Sequence, residues 1–353
     1  MDFRWSEEQK ALRDLAREIL GDMATHDRLA ELEAAQPTVF DRDLWQALAD
    51  AGILGVVVPE EHGGAGMGLL ELLLVLEEAG RHVAPVPLVP TLVTGALPLV
   101  AFGDDAVRGA WLPRIASGDA IVTAALESTE PDRLVAPTVR ATMVGEGWTL
   151  TGERPFVPYA AEADLVLVPA STDDGAGLFL VEPGDGTTVT PLVSTNRAPL
   201  GHLDLDGASA VPLVAPGPAG DDAVAWLIHR GAAAWCAVQA GVCEGALRRM
   251  ADHTSTRQQF GKRIAEFQAV SQRAADAYID TQMVRLTAWQ AVFRLSQGWE
   301  ADKEVQAARF WAGDGAMRVV HAAQHVHGGI GVDVSYPLHR SFLWAKQVEH
   351  TLG

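Results

Sequence analysis

Arg257-Gln258-Gln259-Phe260-Gly261-Lys262-Arg263-Ile264-Ala265-Glu266-Phe267-Gln268 is the stretch whose reading decides the fold. A helical run ends just before it, and Gly261 is a plausible stop for that helix. Glu266, Phe267 and Gln268 open a second helix, in which Phe267, Val270, Ala274, Ala275 and Tyr278 share one face. Arg257 and Gln268 therefore stand at facing ends of two helices around a Phe-Gly turn. Arginine is the side chain best shaped to grip a diphosphate, and glutamine can donate and accept toward a purine edge. The plainer reading of the same residues is a helix hairpin with a solvated Arg257 and a core Phe260.

Working outward, the 353 residues are too many for one core, so two or three structural units are expected. A hydrophobic content of 48% suffices to bury them, and the net charge of −19 argues against nucleic acid and against an anionic membrane as partners. Cys236 and Cys243 lie two turns apart on one apparent helix, too far for a mutual disulfide, and read as core residues of a reduced cytoplasmic protein. The charged start MDFRWSEEQK has no apolar h-region, so no secretory leader is expected. The apolar run from Leu69 to Leu76 is too short to span a bilayer.

Residues 1–117 read as helical. Ser6-Glu7-Glu8-Gln9 is a capping-box start, and Leu12, Leu15, Ala16, Ile19 and Leu20 make a helical stripe. Leu44, Leu48 and Ala51 form another, which stops at Gly52. Ile53 to Val58 is expected to be a short extended run into the glycine-rich loop around Gly63-Gly64. That loop lacks the Gly-Lys-Ser/Thr of a phosphate loop, and Glu60 and Glu61 oppose an anion, so it reads as a structural turn. Over 118–218 the character changes to antiparallel β patterning, in short Thr- and Val-rich runs: Val139–Val144, Trp148–Thr151, Ala163–Val168, Gly177–Val181 and Thr187–Pro191. Helices return over 219–353, and the simplest packing is a four-helix-type bundle. The fold class is α+β, in the order α, β, α.

The opening stretch resembles the R-x-x-F-G-x-x-I-x-x-F-Q signature of the acyl-CoA dehydrogenase family, and the resemblance runs from residue 2 to residue 353. It implies the family fold, with an N-terminal helical domain (1–117), a middle β-domain (118–218) and a C-terminal helical bundle (219–353). It implies FAD as cofactor and an acyl-CoA thioester as substrate, desaturated between its α- and β-carbons. In that family the motif holds the adenosine diphosphate half of an FAD bound on a neighbouring subunit. Arg257 matches the diphosphate-binding arginine, Gln259 and Phe260 its companions, and Gln268 the following glutamine. His325-Val326-His327-Gly328-Gly329-Ile330-Gly331 resembles the family's Q-x-x-G-G-x-G, with His325 where glutamine is usual; Gly328 and Gly329 would allow close backbone approach to the diphosphate. Tyr336-Pro337-Leu338-His339-Arg340 also fits.

The catalytic side departs from the family. The reaction needs one glutamate to take the α-proton. Its two usual homes fall on Leu352 and Gly231 here, and neither is a carboxylate. Glu244 and Glu349 are the candidates for a displaced base; each also reads as a solvated glutamate. The flavin-contacting T-E-P-x-x-G-S-D loop reads Leu126-Glu127-Ser128-Thr129-Glu130-Pro131-Asp132-Arg133, and the Trp-x-Thr that packs on the flavin reads Phe156-Val157-Pro158. Pro158 offers neither hydroxyl nor N–H. His321, His325 and His327 do not share one helical face, so no metal is expected.

A chain that keeps the adenosine side and loses the base is what a non-catalytic partner subunit would look like. The pattern resembles the partner chains of the heteromeric α2β2 acyl-CoA dehydrogenases of actinobacteria, which implies a second acyl-CoA dehydrogenase-like chain in a heterotetramer, acting on steroid side-chain or other bulky thioesters. Two other readings stay open: a self-sufficient homotetramer with a relocated base, and a flavin-free scaffold chain.

Overall fold

The computed structural model describes residues 5–126 and 137–353. Its helices are α1 (Glu7–Met23), α2 (His26–Ala35), α3 (Arg42–Asp50), α4 (Leu69–His82), α5 (Leu97–Phe102), α6 (Asp105–Ala116), α7 (Pro218–Thr256), α8 (Gln268–Ser296), α9 (Asp302–Phe310), α10 (Ala316–His327) and α11 (Leu338–Leu352). The strands are β1 (Val122–Ala124), β2 (Arg140–Val144), β3 (Gly147–Pro158), β4 (Leu165–Thr172), β5 (Gly175–Val181), β6 (Thr187–Val193), β7 (Pro199–Val214), β8 (Gln258–Gln259) and β9 (Lys262–Arg263). The order is helices, then a β-domain, then helices, as the resemblance implies. The chain packs as two compact units. One comprises the chain up to Glu31, Leu70–Ala84 and Ala232–Gly353; the other comprises Leu32–Leu69 and Pro85–Gly231.

In the first unit α1 opens as its sequence predicts. The Ser6 hydroxyl accepts from the Gln9 N–H at 3.1 Å, and Gln9 Oε1 accepts in turn from the Ser6 N–H at 2.9 Å, satisfying two first-turn donors. α4 and α7 meet backbone to backbone. A Cβ on Gly80 would lie 2.0 Å from the Val238 carbonyl oxygen, and one on Gly241 1.9 Å from that of Glu77. The Ala- and Gly-rich composition of α7 is thus what lets the helices approach. Gln239, fully buried, ties α7 to two neighbours: its Nε2 donates to the carbonyls of Ala312 at 2.9 Å and Ala345 at 3.1 Å. Cys236 and Cys243 are buried free thiols in the same helix, and burial pushes the Cys236 thiol up to about 12.

In the second unit β4, β2, β3, β7 and β5 pair in that order, and β5 pairs back to β4, which closes the ring. β1 lies against β4 and β6 against β7. The core inside includes Leu150, Val157, Val168, Phe179, Leu203 and Leu205. Three expectations change here. The pairing is not wholly antiparallel, because β1 runs parallel to β4. The long β7, which pairs with β3, β5 and β6, is absent from the strand runs read in the sequence. Its Pro199, Gly201, Asp206-Gly207 and Pro212 read as turn signals, but strand pairing on both sides overrides them. Finally, Ile53–Gly55 is a 3-10 turn, not an extended run. A Cβ on Gly64 would lie 2.5 Å from the Gly55 carbonyl oxygen of that turn and 2.0 Å from the Val58 carbonyl oxygen, so the glycine loop packs tightly on this segment.

Candidate functional site

The residues expected on the adenosine side lie in the first unit. α7 ends at Thr256, and Arg257 follows at once; its N–H closes the last helical bond to His253 at 2.9 Å. Gly261 does not stop α7, which ends five residues earlier. Instead Phe260 and Gly261 are the two corner residues of a hairpin joining β8 and β9, with φ of +53° and +78°. Positive φ at both corners is the type I′ arrangement, which suits the right-handed twist of the paired strands. Glycine accepts that conformation without strain and phenylalanine does not.

The hairpin turns its side chains outward. Phe260 is 91% exposed, touching only the edge of the Phe267 ring among aromatic neighbours, so it is not a core residue of this chain. The Arg257 side chain has no hydrogen-bond or ion-pair partner among the described residues. The Gln259 side chain donates to the Gln258 carbonyl at 2.8 Å. Gln268 is the first residue of α8 and exposed, with no acidic residue in that first turn. A helix N-terminus of this kind favours an anion. The stripe read on α8 is not buried as the chain stands: Ala275 and Tyr278 are exposed, and the buried face starts at Ala277 and continues through Thr281, Val284 and Ala288.

The second segment expected on the adenosine side closes α10. Gly328 follows the helix with φ +67°, a value that requires glycine. Gly329 has an ordinary backbone, and a Cβ there would meet nothing within 4 Å. Nothing in this chain's own packing therefore demands glycine at 329. His325 is exposed, and His327 is buried. The two segments are brought together by a contact the sequence reading missed: the His253 and His327 rings stack with centroids 4.2 Å apart and planes 22° from parallel. The available signal was the position of each histidine, four residues before Arg257 and one before Gly328. His321 meets Phe342 edge-on. A group of Glu153, His202 and Asp204, with ligand atoms within 4.8 Å of one another, lies in the other unit on β3 and β7.

The catalytic side offers little. Gly231 is filled from one side, since a Cβ there would lie 3.2 Å from the Thr94 methyl. Leu352 is buried, and its carbonyl accepts from Arg309 Nε at 3.0 Å. Glu349 pairs with Lys346. Glu244 is ringed by cations: Arg248 Nε at 2.9 Å, Arg285 Nη2 at 3.2 Å and Arg81 Nη1 at 3.4 Å. Burial pushes its carboxyl up, but the Arg248 hydrogen bond and the charges of Arg285 and Arg81 outweigh that and hold it below the usual carboxylate range. Such a group is a poor proton acceptor. Pro158 gives its carbonyl to the Thr123 hydroxyl at 2.7 Å and has no donor to offer a flavin. Of the Thr129-Glu130-Pro131 reading, Leu126 is described and residues 127–136 lie outside the described residues.

Two family profiles match the chain: the acyl-CoA dehydrogenase N-terminal domain over residues 6–119 and the acyl-CoA dehydrogenase C-terminal domain over residues 219–353. The chain belongs to the acyl-CoA dehydrogenase family. This family of oxidoreductases acts on CH–CH bonds and uses FAD. Acyl-CoA dehydrogenase FadE27 of Mycobacterium tuberculosis is 41% identical over 100% of this chain and 95% of its own length. Among solved structures, a variant of the Tcur3481–Tcur3483 steroid ACAD superposes with a TM-score of 0.92 at 44% identity, covering 98% of this chain and 94% of that one. The ChsE4–ChsE5 complex of Mycobacterium tuberculosis gives 0.92 at 42% identity, covering 100% and 95%. Among the described residues no helix of this acyl-CoA dehydrogenase is long and apolar enough to cross a membrane. Its residues divide in their fit to FAD. Arg257, unpaired among the described residues, and the acid-free start of α8 fit the diphosphate, whereas Gly231, Leu352 and Pro158 supply neither base nor donor at the flavin end.

Proposed function

We propose that this chain is one subunit of a heteromeric acyl-CoA dehydrogenase, holding the adenosine diphosphate half of an FAD whose flavin ring and catalytic base belong to a partner chain of the same fold. The observation that carries this is the outward display of the motif. Arg257 has no partner among the described residues, and Phe260, held at a left-handed φ, is almost wholly exposed. A strained turn that presents an arginine and an aromatic ring to solvent makes physical sense when another molecule covers both.

In this reading Arg257 grips the diphosphate, with Gln259, Phe260 and Gln268 around it and the Gly328-Gly329 turn approaching from α10. His325 stands beside that turn. Bound FAD supplies the hydride acceptor; this chain's part is to bind and orient it. The C-terminal domain, 219–353, does this work, while in 118–218 Pro158 stands where the family's flavin hydroxyl is expected and offers no donor. The acyl group is read as a bulky one, a steroid side-chain thioester, by likeness to the relative described as a steroid ACAD.

The test is the flavin-to-chain ratio and native mass of the protein expressed alone and then with a second acyl-CoA dehydrogenase chain. Little FAD alone, rising to one per pair, is expected. One FAD per chain in a homotetramer that an acyl-CoA reduces would instead require a relocated base, and no flavin in either preparation would make the chain a scaffold.

A further inference from the structure

The two adenosine-side segments end on a pair of stacked imidazoles, and their surroundings give that pair a function of its own. His253 and Arg257 are four residues apart at the end of α7 and leave it on one face. His327 is the last residue of α10, directly before the left-handed Gly328. The His327 ring is fixed at both nitrogens. Its Nδ1–H donates to the Ala323 carbonyl at 2.7 Å, so in the neutral ring Nε2 is left to accept the Tyr336 hydroxyl at 3.1 Å. His253 is partly exposed and lies against it. The charged and titratable groups around the stack are Arg249 and Asp252 from α7, Arg257 just after it, Tyr336 from the segment after α10, and Arg340 from α11, which meets His26 Nδ1 at 2.6 Å. Cations outnumber carboxylates there. Burial, then the neighbouring His327 and Arg257, hold His253 below the usual histidine range; burial first and Arg249 also lower His327. Without a ligand both rings are neutral near pH 7.

We propose that the His253–His327 stack is a proton-linked part of the diphosphate anchor: seating the FAD diphosphate on Arg257 and the Gly328 turn draws one proton from solvent onto His253, so the chain holds FAD more tightly at pH 6 than at pH 8. The inference rests on the assignment of Arg257 to the diphosphate. An anion beside the imidazole favours its charged form, whereas two imidazoliums in contact repel, which limits the uptake to one proton. The bound-state pKa therefore lies above the free-state one. Affinity rises as pH falls through the bound value and levels off below the free value, which itself lies below the ordinary histidine pKa of about 6.5. His253 acts as a positioning residue, setting the charge beneath Arg257.

The experiment is FAD titration of the flavin-stripped complex of this chain with its partner chain, by calorimetry at pH 6.5 in two buffers of different ionisation enthalpy. Dissociation constants at pH 6, 7 and 8 accompany it. Uptake of up to one proton is expected, with affinity about three- to tenfold tighter at pH 6 than at pH 8. His253→Phe keeps an aromatic ring in the stack and removes the titrating group; it should abolish both the proton uptake and the pH slope while still binding FAD. His253→Gln should do the same if the Phe variant misfolds. Absence of proton uptake in the unaltered protein, or a pH slope that survives His253→Phe, overturns the linkage. Arg257→Ala separates the two levels. If it releases FAD while His253→Phe keeps its slope, only the linkage is wrong. If it leaves FAD binding unchanged, the diphosphate assignment fails and the linkage with it.

Discussion

Glu244 on α7 lies 3.2 Å from Arg285 on α8 and 3.4 Å from Arg81 on α4, so one carboxylate joins three helices of the first unit. Arg285 also reaches Glu77, which is buried and takes the Trp289 indole N–H as a further partner. The position is structural in character, and removing its charge leaves two mostly buried guanidinium groups short of a partner. Glu244→Gln should cost roughly 2–3 kcal/mol, near the lower end for breaking a buried pair because Glu244 is partly exposed. Thermal or urea unfolding measures it. Because the folded-state pKa is depressed, this stabilisation is present above the unfolded value of about 4.3 and is lost as pH falls through the folded one. The stability difference between Glu244→Gln and the unaltered protein should therefore shrink below about pH 4. A displaced base would behave otherwise: turnover would vanish at unchanged stability.

Arg257→Ala tests the anchor itself. Loss of one or two charge-assisted bonds to a diphosphate corresponds to about 1.5–3 kcal/mol, or a tenfold to hundredfold weaker hold on FAD. The flavin absorbance that survives gel filtration should fall accordingly. Helical content by circular dichroism should not change, because the Arg257 side chain is exposed and holds no polar partner among the described residues.

Much of the architecture is legible because it rests on local rules. Ser6 and Gln9 announce the start of α1, and the α7 and α8 ranges follow from long apolar periodicity. What escapes is what tertiary structure decides. β7 carries proline, glycine and aspartate-glycine signals that alone mean turns, and only pairing on both sides makes it a strand. The Phe260-Gly261 turn is legible but its hairpin form is not, for a related reason: glycine after a helix suggests a cap, and nothing local distinguishes that from a type I′ hairpin five residues on. The adenosine-side residues are legible as a motif. The His253–His327 contact is not, since it joins residues 74 positions apart.

Phe260 offers a prediction with two opposite signs. Asparagine tolerates positive φ and is favoured before glycine in this turn, so Phe260→Asn should relieve strain and stabilise the isolated chain by about 1 kcal/mol. The same change removes a ring that is 91% exposed in the isolated chain and that we assign to a partner-covered surface. Assembly with the partner should weaken by about 2 kcal/mol, within the range for burying a large apolar side chain. Sedimentation of the mixed chains, set beside the melting temperature of each alone, reads both. A variant that is less stable alone, or that assembles unchanged, contradicts the assignment.

The α4–α7 contact tests whether glycine in α7 is there for approach or merely tolerated. A Cβ at position 241 would lie 1.9 Å from the Glu77 carbonyl oxygen and 2.7 Å from the Arg81 nitrogen, both backbone atoms that cannot swing aside. Gly241→Ala must push α4 away, and with it Glu77 and Arg81 of the ion-pair network. The expected cost is about 3 kcal/mol, the upper end for overpacking, and the melting temperature should drop by roughly 5–10 °C. Gly109, inside α6, is the control: a Cβ there meets nothing within 4 Å, so Gly109→Ala should instead stabilise by about 0.5–1 kcal/mol through helix propensity. Helix propensity alone would favour alanine at both positions. Opposite shifts in the two variants therefore isolate the close approach as the reason for glycine at 241, and equal stabilisation of both would mean that α4 and α7 do not pack at this distance.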